Sequence, residues 1–296
     1  RFDAIDSTAS MAESSAAVWL DALAVADSPQ LVLVSNTAEC QEDEAATVVV
    51  ETSHLVDVDG SEWLSMELWI GKVGVESVTY NGVVLEPVDF SAIDIGADAS
   101  SVYVLESYAD ETVTLSGELL IVPEQHYSGS MYVEVVAIAH EKDAQHEDAV
   151  LLASTVEGVD IVVRGVADAP TLAVGGVSVL IMEDNDPAEV FISHVALVDT
   201  DASEELTVEI RSTSFTIASI VYENESVVET MRSDLSRDMQ VFTLPASVVG
   251  AGEGTFYVYP IGDFSGEIDF DVVAISTNVV TQYTSYQVAE TASSMT

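Results

Sequence analysis

The sequence predicts an all-β protein built from β-sandwich domains in tandem. Short segments rich in β-branched and aromatic residues recur along the 296-residue chain, separated by turn signals. No long segment shows the 3.6-residue period of an amphipathic helix. One pattern of acidic residues also occurs twice, in the same order and at nearly the same spacing. The first two observations predict sandwiches, and the third predicts that the sandwich is repeated.

The predicted strands follow from local residue patterns. The segment 64–70 alternates so that its apolar residues share one face, and the segment 267–275 alternates acidic and apolar residues at its start. The dipeptide Asn81-Gly82 is typical of a two-residue hairpin turn. A short turn of helix is expected only at 235–239. The clearest strand predictions, in chain order, are Val48–Val50, Leu64–Ile70, Val102–Leu105, Met131–Ile138 and Glu267–Ile275.

The repeated acids mark the start of each predicted domain. Each copy has a Val-Ala-Asp-x-Pro segment, an acidic pair and an Asp-x-Asp-x-Ser-Glu loop. Asp168 lies 141 residues after Asp27, and Asp199 lies 142 residues after Asp57. The first copy comprises Asp27, Glu42, Asp43, Asp57, Asp59 and Glu62; the second comprises Asp168, Glu183, Asp184, Asp199, Asp201 and Glu204.

The repeat also predicts the domain boundaries. The segment 123–129 recurs as 260–266, and each is followed by a strand ending in Val-Val-Ala-Ile. Residues 1–28 are interpreted as the tail of a preceding repeat with its linker. Residues 29–169 are predicted to form one sandwich and residues 170–296 a second. Because the chain begins without Met, we expect it to be a segment of a longer polypeptide.

The acids of each copy are candidate cation ligands. If the start of the first strand and the following loop lie at the pole of the sandwich next to the linker, the three acidic groups converge there. Unit charges about 4 Å apart repel by roughly 4 kcal/mol at an effective dielectric near 20. Calcium binds six to eight oxygen ligands and would remove this repulsion. Solvated acidic loops are the alternative interpretation.

The composition excludes several partners. Asp and Glu number 52 against 7 Lys and Arg, which gives a formal net charge of −45. Such a surface repels nucleic acid and anionic lipid. No window is long and apolar enough for direct membrane insertion. The single Cys excludes an intrachain disulfide, and Cys40 is expected to act as a small apolar residue.

A resemblance to a known family rests on three segments. Residues 163–170 read Val-Arg-Gly-Val-Ala-Asp-Ala-Pro, residues 57–62 read Asp-Val-Asp-Gly-Ser-Glu, and residues 264–266 read Phe-Ser-Gly. At these residues the chain resembles the cadherin-like, immunoglobulin-like tandem repeats of giant bacterial surface adhesins, including the VCBS and RTX-adhesin type. The resemblance implies immunoglobulin-like sandwiches in an extended array, at the cell surface or in the extracellular space. Ala202 departs from the pattern, because the family has Gly there.

The same resemblance implies a function and a ligand set. Calcium at each junction would stiffen an extender whose partners are the neighbouring repeats of the same chain. Asp43, Asp184, Glu62 and Glu204 are additional candidates beside the ligands that the resemblance implies. Those ligands are Asp27, Glu42, Asp57 and Asp59 in the first copy, and Asp168, Glu183, Asp199 and Asp201 in the second.

Other functions remain open at this point. The chain could be a subunit that self-assembles into an extracellular filament, sheath or surface appendage. It could also be a carbohydrate- or ligand-binding module that uses Trp63, although core or interface packing is the alternative for each Trp. The segment 140–148 is a transition-metal candidate or a solvated hairpin loop. Asn224 begins a glycosylation sequon or a chance match to one. Enzymatic motifs are not found, so we expect a non-enzymatic protein.

Overall fold

The computed structural model describes residues 18, 25–57, 60–71, 74–88, 101–108, 114–142, 151–175, 181, 187–199, 202–222, 225–227, 229–230, 239–245, 250–279 and 288–295. Strands are the main regular structure of these residues, joined by turns, bends and loops, with a helical turn at 250–251. They form four sheets that enclose two main hydrophobic cores. The prediction of tandem all-β sandwiches is therefore confirmed. No helix in this part of the chain has the length and apolarity needed to cross a bilayer.

The first half of the chain supplies eleven strands to two of these sheets, ordered β1-β3-β9-β5-β6 and β2-β11-β10-β4-β8-β7. Their bounds are β1 Gln30–Leu33, β2 Thr37–Gln41, β3 Ala46–His54, β4 Glu62–Ile70, β5 Val75–Tyr80, β6 Val83–Leu85, β7 Pro87–Val88, β8 Ser101–Tyr108, β9 Leu115–Pro123, β10 Gly129–Glu141 and β11 Leu152–Arg164.

The second half of the chain supplies ten strands to the other two sheets, ordered β12-β13-β19-β15-β16 and β17-β18-β14-β20-β21. Their bounds are β12 Thr171–Gly175, β13 Ala188–Ala196, β14 Glu204–Ser212, β15 Ile217–Tyr222, β16 Glu225–Val227, β17 Glu229–Thr230, β18 Gln240–Thr243, β19 Gly254–Pro260, β20 Phe270–Asn278 and β21 Val288–Met295.

The two halves repeat one strand arrangement. The sheet β1-β3-β9-β5-β6 has the same order as β12-β13-β19-β15-β16, and β4-β10-β11 corresponds to β14-β20-β21. A hydroxyl on the last strand holds each linker Pro, because Thr155 Oγ1 donates to the carbonyl of Pro29 and Thr291 Oγ1 donates to that of Pro170. The predicted boundaries of the domains remain a prediction, and residues 1–17 lie outside the described part of the chain.

One parallel pairing decides where the acids of the first sandwich lie. β2 runs parallel to β11, with Cys40 opposite Val163 and Gln41 opposite Arg164. The end of β2 therefore lies at the pole from which β11 leaves the sandwich, and we call this the downstream pole. Cys40 is buried in the core there, as expected of a small apolar residue.

The opposite end of the sheet forms the upstream pole. β10 pairs antiparallel with β11 from Gly129 to His140. Eleven residue steps of strand separate these two residues, a distance of roughly 37 Å along the sheet. β4 pairs with β10 so that Glu62 lies opposite Glu141 at the end of the ladder beyond His140. Glu62 therefore lies at the upstream pole, far from the end of β2.

Several local predictions can be compared with the strands. The Asn81-Gly82 hairpin is confirmed, with φ values of 49° and 80° that match a turn between β5 and β6. The strand predicted from Glu267 begins only at Phe270, because its partner β14 ends at Ser212 and its ladder with β14 reaches no further than Arg211 opposite Asp271. Of the predicted turn at 235–239, only Met239 is described.

Candidate metal centre

Each linker is attached to the sandwich that follows it by the same hydrogen bond. The backbone N–H of Asp27 donates to Oε1 of Glu62 at 2.6 Å. The backbone N–H of Asp168 donates to Oε1 of Glu204 at 2.7 Å. Both glutamates are the first residues of equivalent strands, β4 and β14, and both are buried. The repeated acids at these positions therefore fix the entry of the chain into each sandwich.

The upstream pole of the first sandwich gathers four carboxylates. Burial raises the pKa of Glu62 above its ordinary value, and the charges of Asp27, Asp57 and Glu141 raise it further, whereas the Asp27 N–H lowers it. Only 2% of Glu62 is exposed, and its Oε2 has no hydrogen-bond partner. This oxygen is buried near other acids and receives no hydrogen bond. A bound cation would therefore stabilise the ionised form of Glu62.

A second set of acids lies where the two sandwiches meet, and we call Glu42, Asp168, Asp199 and Glu204 the junction acids. Glu42 follows β2 at the downstream pole, where its backbone N–H donates to the carbonyl of Arg164 at 2.8 Å. Its Oε2 accepts a 2.8 Å hydrogen bond from the N–H of Val166 in the linker. Its side chain therefore joins the first sandwich to the segment that leads into the second.

The pKa of Glu42 reflects the negative charges gathered at the junction. Burial is the largest cause that raises the pKa of this carboxyl to about 7, and the charges of Asp199, Asp168 and Asp43 add to it. The N–H of Val166 acts in the opposite direction. Asp199 belongs to the second sandwich and Asp168 to the linker, so charges from three segments act on one buried group. Near neutral pH this group is close to half ionised.

The second sandwich contributes a similar loop. Ser203 Oγ donates to Oδ2 of Asp199 at 2.8 Å, and both residues are buried. Burial raises the pKa of Glu204, the Asp168 N–H and Ser276 lower it, and the charges of Asp199 and Asp168 raise it. Ala202 has a φ of 67° where Gly60 has 94°, so the loop keeps the left-handed turn of the first copy without its glycine.

His126 brings a nitrogen ligand to the same place. Its backbone N–H donates to Oδ1 of Asp43 at 3.0 Å, and its ring Nδ1 lies 3.0 Å from Oδ2 of Asp168. Ligand atoms of Glu42, Asp43 and His126 all lie within 4.8 Å of one another. Both Asp43 and His126 have φ values of 60°, so two tight turns face each other across the linker.

The structure divides the predicted ligands differently from the sequence. It brings Asp27, Asp57 and Glu62 together at the upstream pole. It places Glu42 and Asp43 at the downstream pole instead, because β2 runs parallel to β11, and there they meet Asp168 and Asp199 of the second copy. The predicted residues Asp59, Glu183, Asp184, Asp201 and Asn224 lie outside the described part of the chain.

Two residues of these clusters were not predicted. Glu141 joins the upstream acids through its register opposite Glu62, and such a cross-strand register cannot be read from the sequence. His126 could have been found, because it occupies the position of Asp263 in the repeated segment 260–266. A histidine that replaces an acid within an acidic repeat is a signal for a ligand.

The donor set fits a hard divalent cation. Carboxylate oxygens dominate both clusters, and calcium binds six to eight such oxygens at about 2.3–2.6 Å. Glu42 and Glu62 each have a buried oxygen without a hydrogen-bond partner. The neighbouring cations are engaged elsewhere: Lys142 Nζ donates to the carbonyl of Gly60 at 3.0 Å, and Arg164 pairs with Glu39. Calcium would therefore neutralise carboxylates that these two side chains do not neutralise.

The tryptophans and the His140 segment have other surroundings. Trp63 stacks on His140 with ring centroids 3.7 Å apart, so one face of its indole is covered. Trp69 is buried and donates from Nε1 to Glu67 at 2.8 Å. His140 Nε2 lies 2.7 Å from Ser65 Oγ, and burial lowers the pKa of its ring. Residues 143–150 and Trp19 lie outside the described residues.

Comparisons with known proteins give weak similarities only. No protein-family model and no curated protein sequence matches the chain. Solved structures that resemble it include the C-terminal domain of the antigen I/II-family protein AspA of Streptococcus pyogenes, at 8% identity over 90% of this chain and 98% of that one, with a TM-score of 0.31.

Two further structures show the same level of similarity. The B domain of a biofilm-associated protein covers 93% of this chain and 88% of its own at 8% identity and a TM-score of 0.26. The collagen adhesin CNA from S. aureus covers 90% and 94% at 9% identity and a TM-score of 0.20. TM-scores this low establish neither a shared domain arrangement nor a shared function.

Proposed function

We propose that this chain is a non-enzymatic extender of an extracellular or cell-surface protein, whose junctions bind calcium and become rigid. One observation supports the proposal above the others. The charges of Asp168 in the linker and of Asp199 in the second sandwich both act on the buried carboxyl of Glu42 in the first sandwich. A cation bound there would be held by three segments at once, so its binding would fix their relative positions.

Charge repulsion and its removal provide the mechanism. At an effective dielectric near 20, each pair of unit charges about 4 Å apart costs roughly 4 kcal/mol. Without a cation, Glu42 would lower this cost by taking up a proton, or the junction acids would move apart and loosen the junction. Calcium bound to the same oxygens would reverse the sign of the interaction and favour the compact junction. The partners are the neighbouring repeats of the same chain.

The repeated linker geometry extends this mechanism to more than one junction. Asp27 and Asp168 are bound to Glu62 and Glu204 by the same hydrogen bond, and Pro29 and Pro170 are bound to equivalent threonines. The upstream pole therefore carries the acids that a preceding sandwich would complete with its own counterpart of Glu42. Each junction of an array would take ligands from both of its neighbours.

Calcium titration tests the proposal. The 296-residue chain is measured by small-angle X-ray scattering and by calorimetry, in chelator and with increasing CaCl₂ at constant ionic strength. We expect saturable heat, a higher melting temperature and a larger, better-defined maximum dimension. Magnesium at the same concentrations is the control, because it demands a near-octahedral site and keeps several of its waters. Unchanged dimensions and melting temperature after chelation would contradict the proposal.

A further inference from the structure

We propose that the junction also binds a transition-metal ion of the zinc class, through the imidazole of His126 and the carboxylates of Glu42 and Asp43. This inference rests on the proposed function only in placing its site at the same junction. The ligand atoms of the three side chains lie within 4.8 Å of one another, and they come from two separate turns of the first sandwich. Asp168 of the linker lies within reach, with Oδ2 at 3.0 Å from the ring Nδ1.

An unpartnered buried oxygen points to a ligand independently of this clustering. Only 5% of Glu42 is exposed, and although Oε2 accepts the Val166 N–H, Oε1 has no hydrogen-bond partner. A buried carboxylate oxygen without a donor costs free energy that a metal bond would recover. The backbone N–H of His126 also donates to Oδ1 of Asp43 at 3.0 Å, so the two turns that carry ligands are held together before a metal arrives.

The nitrogen ligand decides the class of metal. Calcium takes oxygen ligands, whereas imidazole suits zinc, copper, nickel and iron. Zinc accepts four ligands from His, Asp, Glu or water, with Zn–N and Zn–O distances of about 2.0–2.2 Å. The side chains of His126, Glu42 and Asp43 supply three, and Asp168 or water completes the set. Where water is the fourth ligand, Asp168 would instead accept from the ring Nδ1–H and orient the ring, leaving Nε2 for the metal, as carboxylates beside metal-bound histidines do.

The second repeat offers a natural contrast. Asp263 occupies the place of His126 in the repeated segment and has nearly the same φ, 57° against 60°. The downstream pole of the second sandwich therefore has an acid where the first has an imidazole. Zinc-class binding is expected at the described junction and is not expected at every repeat, which would make this junction chemically distinct within the array.

Zinc titration of the whole chain tests the inference. ZnCl₂ is titrated calorimetrically, with and without saturating CaCl₂, into the natural chain and into His126→Asn. Asn tolerates the left-handed backbone of residue 126, so the variant should fold, and its melting temperature in chelator checks this. We expect zinc affinity to fall by at least about tenfold in the variant. The matched control is His194→Asn, which removes an exposed imidazole beside Thr171 and should leave zinc affinity unchanged.

Cobalt substitution gives a second readout. Co²⁺ bound to His126 and carboxylates is expected to give visible d–d absorption that is absent in His126→Asn and displaced by zinc. Equal zinc affinity in the natural chain and in His126→Asn would overturn the inference. Zinc binding without calcium binding would refute the calcium proposal alone. Calcium binding without zinc binding would refute this inference alone.

Discussion

Replacing Glu42 with Gln tests whether the junction is under electrostatic strain. The carboxyl of Glu42 has a pKa of about 7 in the folded chain, against 4.5 for an unperturbed glutamate. At pH 8 its ionisation therefore costs the folded state at most about 3 kcal/mol, at 1.36 kcal/mol for each unit of pKa. Gln removes the charge but keeps a carbonyl oxygen that can accept the Val166 N–H. In chelator at pH 8 we expect Glu42→Gln to be more stable by about 1–3 kcal/mol.

The pH dependence of this gain follows from the sign of the shift. Because the pKa of Glu42 is raised on folding, the folded chain holds an extra proton between about pH 4.5 and 7. The natural chain therefore loses stability as pH rises through that window, and the variant lacks this part of the loss. Well below pH 4.5, where the carboxyl is protonated in both states, the advantage of the variant should disappear.

Calcium should favour the natural chain over Glu42→Gln. A metal that binds only the folded state stabilises it in proportion to the logarithm of its concentration over Kd. Glu42→Gln removes one ligand, so its calcium-linked stabilisation should be smaller than that of the natural chain. Urea unfolding at pH 5 and pH 8, each in chelator and in CaCl₂, gives the four free energies of unfolding needed for each chain. Glu51→Gln, at an exposed position of β3, is the matched control, and it should change stability by less than about 0.5 kcal/mol under every condition.

The reasoning would be refuted by either of two results. If Glu42→Gln is destabilised in chelator at pH 8, the carboxylate acts mainly as a hydrogen-bond partner of the linker. If the variant and the natural chain lose equal stability between pH 5 and pH 8, ionisation of Glu42 is not what destabilises the folded chain.

Two further substitutions test the loop and the second core. Ala202→Gly should raise stability by about 1 kcal/mol in urea unfolding, because φ is 67° at this residue; a decrease would show that the turn is not strained. Arg211→Met should destabilise the second sandwich by about 3–5 kcal/mol, because buried Arg211 pairs with Glu209 and with both oxygens of Glu290. Arg164→Met, at a more exposed pair, should cost less than about 1 kcal/mol; equal costs would contradict the argument from burial.

The sandwich architecture was predictable because its signals are local. Alternation in β4, the Asn81-Gly82 turn and the start of β10 at a Ser-Gly pair that recurs in the second copy each depend on a few neighbouring residues. The hydrogen bonds from the linker to Glu62 and Glu204 also follow the repeated spacing of the acids. These features were predicted or could be aligned without knowing which strands pair.

The division of acids between the poles was not predictable in the same way. It depends on β2 lying parallel to β11, a pairing of segments more than 100 residues apart in the chain. Nothing in the local sequence of Glu42 distinguishes the pole beside Asp27 from the pole beside Asp168. The role of Glu141 depends in turn on its register opposite Glu62. Long-range topology, and not residue type, decides which acids share a site.

Spin labels can measure the rigidity of the junction. Cysteines introduced at exposed Glu51 and Glu189, one on each sandwich, are labelled in a background where buried Cys40 is replaced by Ala. Double electron–electron resonance then gives the distribution of distances between the labels in chelator and in calcium. The calcium-stiffened junction predicts a broad distribution in chelator that narrows to a single peak in calcium and stays broad in Glu42→Gln. Equal widths in chelator and in calcium would contradict it.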